Sequence, residues 1–325
     1  MNTLNIYACG GAGVNIGSIF SSFQHREVKS EMFANINVYF IDTSKSNLNR
    51  NINKDNVYLV EGLDGSGKKR DSNYHVLSEC SKEIIHQFKP GDFNIVLHSA
   101  SGGSGSVIGP ILASELMNRE AIVVTMLIGS TSSRIEAENT LKTMKSYEMI
   151  SKKQNSPIAC YYRENSATNQ RSKIDKEIEN GINILAMMFS GNNKELDTAD
   201  LRNFLNFQRV TSYKPRLTFL DFFSGEVVIP RGQSLVSLVT LVDDKTSSEV
   251  ALPVEYQTVG FVSEESKSNI SIDLPIHACM IAGYFNQAVE TLESKLKTYE
   301  EARSVVVEKL IVKDGTDSTD EGLVF

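Results

Sequence analysis

The sequence predicts an α/β chain. A parallel sheet covered on both faces makes the first half, one long helix follows, and a strand-rich second half is closed by another long helix. Three observations predict this. Short apolar runs alternate with longer segments of helical period up to about residue 163, the pattern of βαβ units. Glycine clusters stand directly behind three of those runs. One amphipathic stretch, Thr168 to Ser190, then separates this half from one in which strands follow each other across polar turns.

In order, Leu4–Cys9 reads as a strand, followed by a glycine turn and a helix from about Val14 to Phe23. Ile36–Ile41 and Asn56–Glu61 are the next strands, and Tyr74–Phe88 a helix. Phe93–Ala100 is a continuous apolar run, the mark of a strand buried on both faces. A helix through Met117, a strand Ala121–Ile128, a helix Glu136–Met149 and a strand Ile158–Arg163 complete the first half. In Thr168–Ser190, Ile174, Ile178, Ile182, Leu185 and Met188 recur at helical spacing, and Gly191-Asn192-Asn193 ends the helix. Leu217–Phe223, Ser234–Val242, Val254–Val262 and Ile270–Leu274 read as strands, and Ile281 to about Leu310 as the last helix. The working division is 1–168, 169–190, 191–310 and a polar acidic tail, 311–325.

The chain has 325 residues, 41% hydrophobic and 22% charged, with a formal net charge of -7. A net-acidic chain of this kind is a poor general binder of nucleic acid or anionic membrane. It contains no apolar run long enough to span a bilayer and no signal-peptide layout at Met1–Ile6, so a cytoplasmic protein is expected. Cys9, Cys80, Cys160 and Cys279 stand far apart without metal-ligand spacing, which predicts free thiols and no protein metal centre.

The three glycine loops are Gly10 to Gly17, Gly62 to Gly67 and Ser101 to Ser106. Glycine lets backbone approach a phosphate, with successive N–H groups and the next helix's N-terminus aimed at the anion. Three such loops at strand carboxyl ends predict a nucleotide site. Two other readings compete. Gly11, Gly13 and Gly17, with Asp42 ending the next strand, suit an NAD(P)-dependent oxidoreductase, but leave Ser101–Ser106 without a role. Gly62–Lys68 fits GxxxxGK, but Lys69 stands where a P-loop needs Ser or Thr.

The loop Gly102-Gly103-Ser104-Gly105-Ser106, behind Ile95–Ala100, resembles the tubulin/FtsZ signature GG[ST]G[ST]G, with Val107 in the sixth place and Gly109 close behind. The other family motifs are matched in order. Gly11, Ala12, Gly13 and Asn15 resemble the first phosphate loop, with Asn15 near guanine; Asp42 and Thr43 resemble the second, and Gly65, Ser66 and Gly67 the γ-phosphate sensor. Glu136 with Asn139 resembles the ribose-contacting segment, and Asn165 or Asn169 the guanine-reading asparagine. Leu196-Asp197-Thr198-Ala199-Asp200-Leu201 resembles the NxDxxD catalytic loop, with Glu195 in place of the asparagine. Read without the family, Asp197 and Asp200 are a helix N-cap pair.

The resemblance implies a Rossmann-like GTP-binding domain, a central helix, and an α+β activation domain with C-terminal helix and tail. It implies GTP/GDP and Mg²⁺ as ligands. It also implies head-to-tail homopolymers in which Asp197 and Asp200 act on a neighbour's nucleotide. The overall look is most similar to the phage-encoded tubulins of the PhuZ group, whose filaments position phage DNA. By that likeness the tail would dock on the next subunit, with Lys214, Arg216 and Arg231 as candidate groove residues. A filament protein that binds nucleotide but hydrolyses it weakly is the remaining alternative, left open by Glu195.

Overall fold

The computed structural model describes the chain except residues 22–32, 49–51, 71–73, 167–168, 244–251, 264–272 and 315–325, and the side chains of 305–314. Most of the expected tail therefore lies outside the described residues. In chain order the strands are β1 (Thr3–Cys9), β2 (Asn35–Asp42), β3 (Val57–Leu59), β4 (Phe93–Ser99), β5 (Val123–Ser130), β6 (Ile158–Asn165), β7 (Leu217–Ser224), β8 (Ser234–Asp243), β9 (Tyr256–Val262) and β10 (Ile276–Ala282). The helices are α1 (Gly10–Ser21), α2 (Tyr74–Gln87), α3 (Gly105–Asn118), α4 (Arg134–Gln154), α5 (Arg171–Met188), α6 (Thr198–Leu205) and α7 (Tyr284–Asp314).

These strands form one sheet in the order β3-β2-β1-β4-β5-β6-β7-β10-β8-β9. From β3 through β6 every pairing is parallel. The sheet does not break where the sequence changes character, because β7 pairs parallel with β6 through Ile158–Leu217, Ala159–Thr218 and Cys160–Phe219. Beyond β7 the β7–β10 and β10–β8 pairings are antiparallel.

Strand alternation sorts side chains into two cores. Leu4, Ile6 and Ala8 of β1 pack toward α1 and α5, while Tyr7 and Cys9 pack toward α2, α3, α4 and α7. The stripe on α5 is core as expected: Ile174, Ile178, Ile182 and Leu185 are buried, each contributing about 1.5–3 kcal/mol of apolar burial. Gly181 lets α5 lie on β6, since a Cβ there would meet the Tyr161 ring at 2.9 Å. The side-chain amide of Asn193 donates to the carbonyls of Met187 and Met188 at 2.9 and 3.2 Å, closing the helix.

Two expectations need correction. The last strand is Ile276–Ala282, not Ile270–Leu274, of which 270–272 lie outside the described residues. Its run IHACMIA is buried on both faces between β7 and β8, so no alternation announced it, and Ile281 read as the start of the helix. The first helix begins at Gly10, so the expected glycine turn is already helix. Gly10, at φ 68°, lies against Gly105, where a Cβ would meet the Gly105 nitrogen at 2.9 Å.

The four cysteines are free, and three are buried. No helix among the described residues is long and apolar enough to cross a membrane.

Candidate nucleotide-binding site

Two cavities adjoin at the carboxyl ends of the parallel strands. The first, about 220 Å³, is bounded by Cys9–Ala12, Asp42, Asn47, Gly65, Ser66, Ser99 and Gly102–Gly105. The second, about 540 Å³, is bounded by Gly11, Ala12, Val14, Asn15, Ser46, Asn47, Ser99, Ile128, Asn165, Arg171 and Asp175. Their shared wall of Gly11, Ala12, Asn47 and Ser99 joins them into one groove.

The first cavity is built for an anion. The N-termini of α1 and α3 both open into it, and neither helix has an acidic residue in its first turn. Ser104, at the N-cap of α3, makes no capping hydrogen bond. Two sets of first-turn N–H groups and two positive dipole ends thus converge on one space. Close packing of glycines brings the helices there. A Cβ on Gly105 would meet the Cys9 carbonyl at 2.8 Å, and one on Gly13 would run into the Leu97 carbonyl, so neither position has room for a side chain. Among the described residues no lysine or arginine borders this cavity, and backbone amides carry the attraction.

The signature loop is shaped from behind. Ser99 Oγ accepts from the Ser101 and Gly102 amides, both at 3.2 Å. Ser106 Oγ donates to the Gly102 and Gly103 carbonyls at 2.6 and 3.0 Å, turning both carbonyls toward itself. Ser106 is buried and shapes the loop without bordering either cavity. Thr43 and Ser104 join the second loop to the signature loop through their hydroxyls, 2.7 Å apart.

Asp42 is likewise a scaffold residue. Its Oδ1 accepts from the Thr43 and Ser44 amides at 2.6 and 3.2 Å, and its Oδ2 accepts from Asn47 Nδ2 at 2.9 Å. Burial raises its pKa, opposed by those same hydrogen bonds. Both oxygens are spoken for, which disfavours the dinucleotide reading, where this acid would grip a ribose diol. The P-loop reading fails similarly: Lys68 Nζ pairs with Glu136 Oε1 at 2.6 Å, and Lys68 borders neither cavity.

That pairing also bears on the expected ribose contacts. Glu136 Oε2 accepts from Ser130 Oγ at 3.0 Å; burial alone would raise its pKa, but Lys68, Ser130 and Ser133 outweigh that and hold it low. Asn139 Nδ2 donates to the carbonyls of Lys68 and Ser101 at 2.9 and 3.1 Å. In the structure Glu136 and Asn139 clasp the 65–70 loop to the signature loop, and they border neither cavity. Gly67, at φ 53°, sits in that clasped turn behind the bordering Gly65 and Ser66.

The second cavity suits a purine. Asn165 ends β6 on its wall, and its Oδ1 is buried without a hydrogen-bond partner. A buried orphan acceptor is costly, so it marks a place for a donor. Asn169 does not border the cavity; its amide donates to Ser166 Oγ at 3.0 Å in the turn before α5. Asn15, on α1, does border it. Sequence reasoning missed Asn47, Ser99, Arg171 and Asp175. The last two stand one turn apart at the head of α5, with Arg171 Nε 3.6 Å from Asp175 Oδ2. Burial raises the pKa of Asp175, and Arg171 opposes that.

Asp197 and Asp200 lie elsewhere. Together they form a capping box on α6: Asp197 Oδ1 accepts from the Ala199 and Asp200 amides at 2.7 and 2.9 Å, and Asp200 Oδ2 accepts from the Asp197 amide at 3.2 Å. Thr198, beside them, accepts from Asn2 Nδ2 at 3.3 Å, just ahead of β1, whereas Cys9 at the far end of β1 borders the first cavity. Seven residues at about 3.3 Å each put the two places about 23 Å apart along one strand. Glu195 precedes them at φ 61°, a left-handed conformation that asparagine tolerates better than glutamate.

Comparison with known proteins agrees with this geometry. Residues 4–158 match the Tubulin/FtsZ family, GTPase domain. A phage tubulin-like protein of Pseudomonas phage phiKZ is 32% identical over 216 residues, 63% of this chain and 63% of that relative's length. One from Pseudomonas phage PhiPA3 is 27% identical over 310 residues, covering 93% of this chain and 94% of the relative. The protofilament of TubZ from Bacteriophage PhiKZ superposes with TM-score 0.81 at 25% identity, over 99% of this chain and 95% of that one. The PhuZ201 filament, at 21% identity and TM-score 0.79 over 99% and 95%, shares the fold. Motif order, groove and fold point the same way: residues 4–158 match the GTPase domain of the Tubulin/FtsZ family, and the chain is similar along most of its length to phage tubulin-like proteins.

Proposed function

We propose that the chain is a GTPase that polymerises head to tail and hydrolyses GTP at the joints between subunits. The observation that carries this is the placement of the two half-sites at opposite ends of β1. The anion cavity stands at the strand's carboxyl end and the paired aspartates at its amino end. An acid about 23 Å from the phosphates cannot position water in the same subunit. Stacking a second copy along the strand direction brings its acids to the first copy's cavity. Such a contact is heterologous and does not close, so it propagates as a filament. Two of the solved structures that this chain resembles are described as a protofilament of TubZ and as a filament of PhuZ201.

In the groove, the amides of the first turns of α1 and α3 and of the signature loop hold the phosphates. Asn15, Asn165 and Asp175 face the base; guanine offers N–H donors at N1 and N2, which suit a carboxylate and the orphan Asn165 oxygen. Hydrolysis forms a bond from water oxygen to the γ-phosphorus and breaks the bond to the β–γ bridging oxygen, with charge spread over the γ oxygens. Asp197 and Asp200 of the adjoining copy orient the water and accept its proton. Mg²⁺ entering with the nucleotide would meet a hard oxygen donor in the Ser104 hydroxyl, which borders the anion cavity, and would neutralise phosphate charge. The cation's remaining ligands would be phosphate oxygens and water. By likeness to the phage relatives, the filaments act in the cytoplasm of an infected bacterium and position phage DNA.

The test is phosphate release and light scattering against protein concentration after GTP addition. The proposal expects a shared threshold, below which neither is seen. Turnover proportional to concentration, without a threshold, overturns it.

A further inference from the structure

The loop that carries the paired aspartates is braced by β9 at three points. Lys194 and Phe261 exchange backbone hydrogen bonds at 3.0 and 2.9 Å. Leu196, buried, lies on Gly260, where an added Cβ would meet Leu196 Cδ2 at 2.8 Å. The Tyr256 hydroxyl reaches Asp200 twice, donating to Oδ1 at 3.1 Å or to the backbone carbonyl at 3.2 Å.

We propose that Tyr256 is a positioning residue for in-trans hydrolysis: its hydroxyl fixes the rotamer of Asp200 so that the carboxylate meets the neighbour's nucleotide in a set orientation. This rests on the reading of Asp197 and Asp200 given above. Without Tyr256, the one hydrogen bond among the described residues that would hold the Asp200 carboxylate is that from the Asp197 amide at 3.2 Å, and a single hydrogen bond leaves it free to swing about that contact. With Tyr256, each Asp200 oxygen has its own donor, one from the helix and one from the sheet. The carboxylate is therefore referenced to two elements at once, α6 and β9. Burial, then Asp200 itself, pushes the Tyr256 phenol up to about 12, so it remains the donor at neutral pH. The capping box does not need this hydroxyl, since it closes on backbone amides.

The arrangement also gives β9 a specific duty. It is the outermost strand of the sheet beyond β8, and every contact named here ties it to the 194–200 segment.

The experiment compares wild type with Tyr256→Phe, Asp200→Asn and the double variant. It measures GTP affinity, the assembly threshold, thermal stability, and phosphate release per polymerised subunit. Tyr256→Phe is expected to lower turnover per polymerised subunit about 10-fold, with GTP affinity and threshold unchanged, because one orienting contact is lost and no binding contact. In the double variant, Tyr256→Phe is expected to add nothing to the loss from Asp200→Asn, since the hydroxyl acts through that carboxylate. Additive losses, or Tyr256→Phe turning over as wild type, overturn the inference. A Tyr256→Phe variant that unfolds is replaced by Tyr256→His, which retains a donor; recovery of turnover there supports positioning, and its absence in a folded protein opposes it. If Asp200→Asn alone turns over normally, the underlying reading of the aspartates fails instead, a distinguishable result.

Discussion

Replacing Asp197 by asparagine separates the two roles open to its carboxylate. As an N-cap it supplies one oxygen to the Ala199 and Asp200 amides at 2.7 and 2.9 Å. Asparagine caps nearly as well as aspartate, so both bonds survive. What is lost is the charge at the helix N-terminus, worth about 0.3–1 kcal/mol at an exposed site. Unfolding entropy of about 2.1 cal/mol/K per residue over 325 residues makes that a Tm drop of about 1 °C. Alanine, by contrast, removes the cap and costs about 1–2 kcal/mol. Hydrolysis should order the variants differently. If the carboxylate orients the attacking water in the next subunit, Asp197→Asn and Asp197→Ala should both lose about 100-fold or more in turnover, the scale of removing one preorganised group. GTP affinity of the monomer should be unchanged, since Asp197 borders neither cavity. The assay is phosphate release per sedimented subunit, beside a thermal melt. Asp197→Asn that hydrolyses within about twofold of wild type refutes the reasoning and leaves Asp197 a cap and nothing more.

Other perturbations have equally defined outcomes. His98 is buried under the signature loop, with Nε2 2.6 Å from the Tyr147 hydroxyl, and burial lowers its pKa from 6.5 to about 4. The unfolded chain then binds its proton first, so stability falls as pH drops from 6.5 toward 4, by about 3 kcal/mol at 1.36 kcal/mol per pH unit. Urea titrations at about pH 7 and pH 4.5 should show that loss, and His98→Gln should flatten part of it. Gly105→Ala should cost about 1–3 kcal/mol and abolish nucleotide binding, because its Cβ would press on the Cys9 carbonyl and part α3 from α1; calorimetric titration with GTP checks it. Asp175→Asn should weaken GTP and favour XTP, whose C2 carbonyl replaces the guanine amine, as competition binding would show.

The parallel half was legible because its signals are local. Apolar runs such as Phe93–Ser99 followed by glycines predict strand, loop and helix wherever the chain lies in space. The stripe on α5 was legible for the same reason. What escaped depends on neighbours. Strand β10 lacks alternation because β7 and β8 flank it and both its faces are covered. Ser106, Glu136 and Asn139 stand at family positions in the sequence, but their hydrogen bonds turn them to the backs of loops. Asn47, Arg171 and Asp175 reach the groove only through the fold, and no spacing in the chain marks them. The aspartates show the opposite case: their capping box is what a lone subunit reveals, and the functional reading needs the second copy.

The most direct test of the half-sites is a mixture of two inactive variants. Asp200→Ala keeps its nucleotide groove and lacks the acid; Gly105→Ala keeps the acid and lacks the groove. Each alone should be silent. In randomly co-assembled filaments about one joint in four pairs an intact groove with an intact acid, so turnover should return to about a quarter of the wild-type rate. Filaments that contain both variants and still release no phosphate would contradict the account.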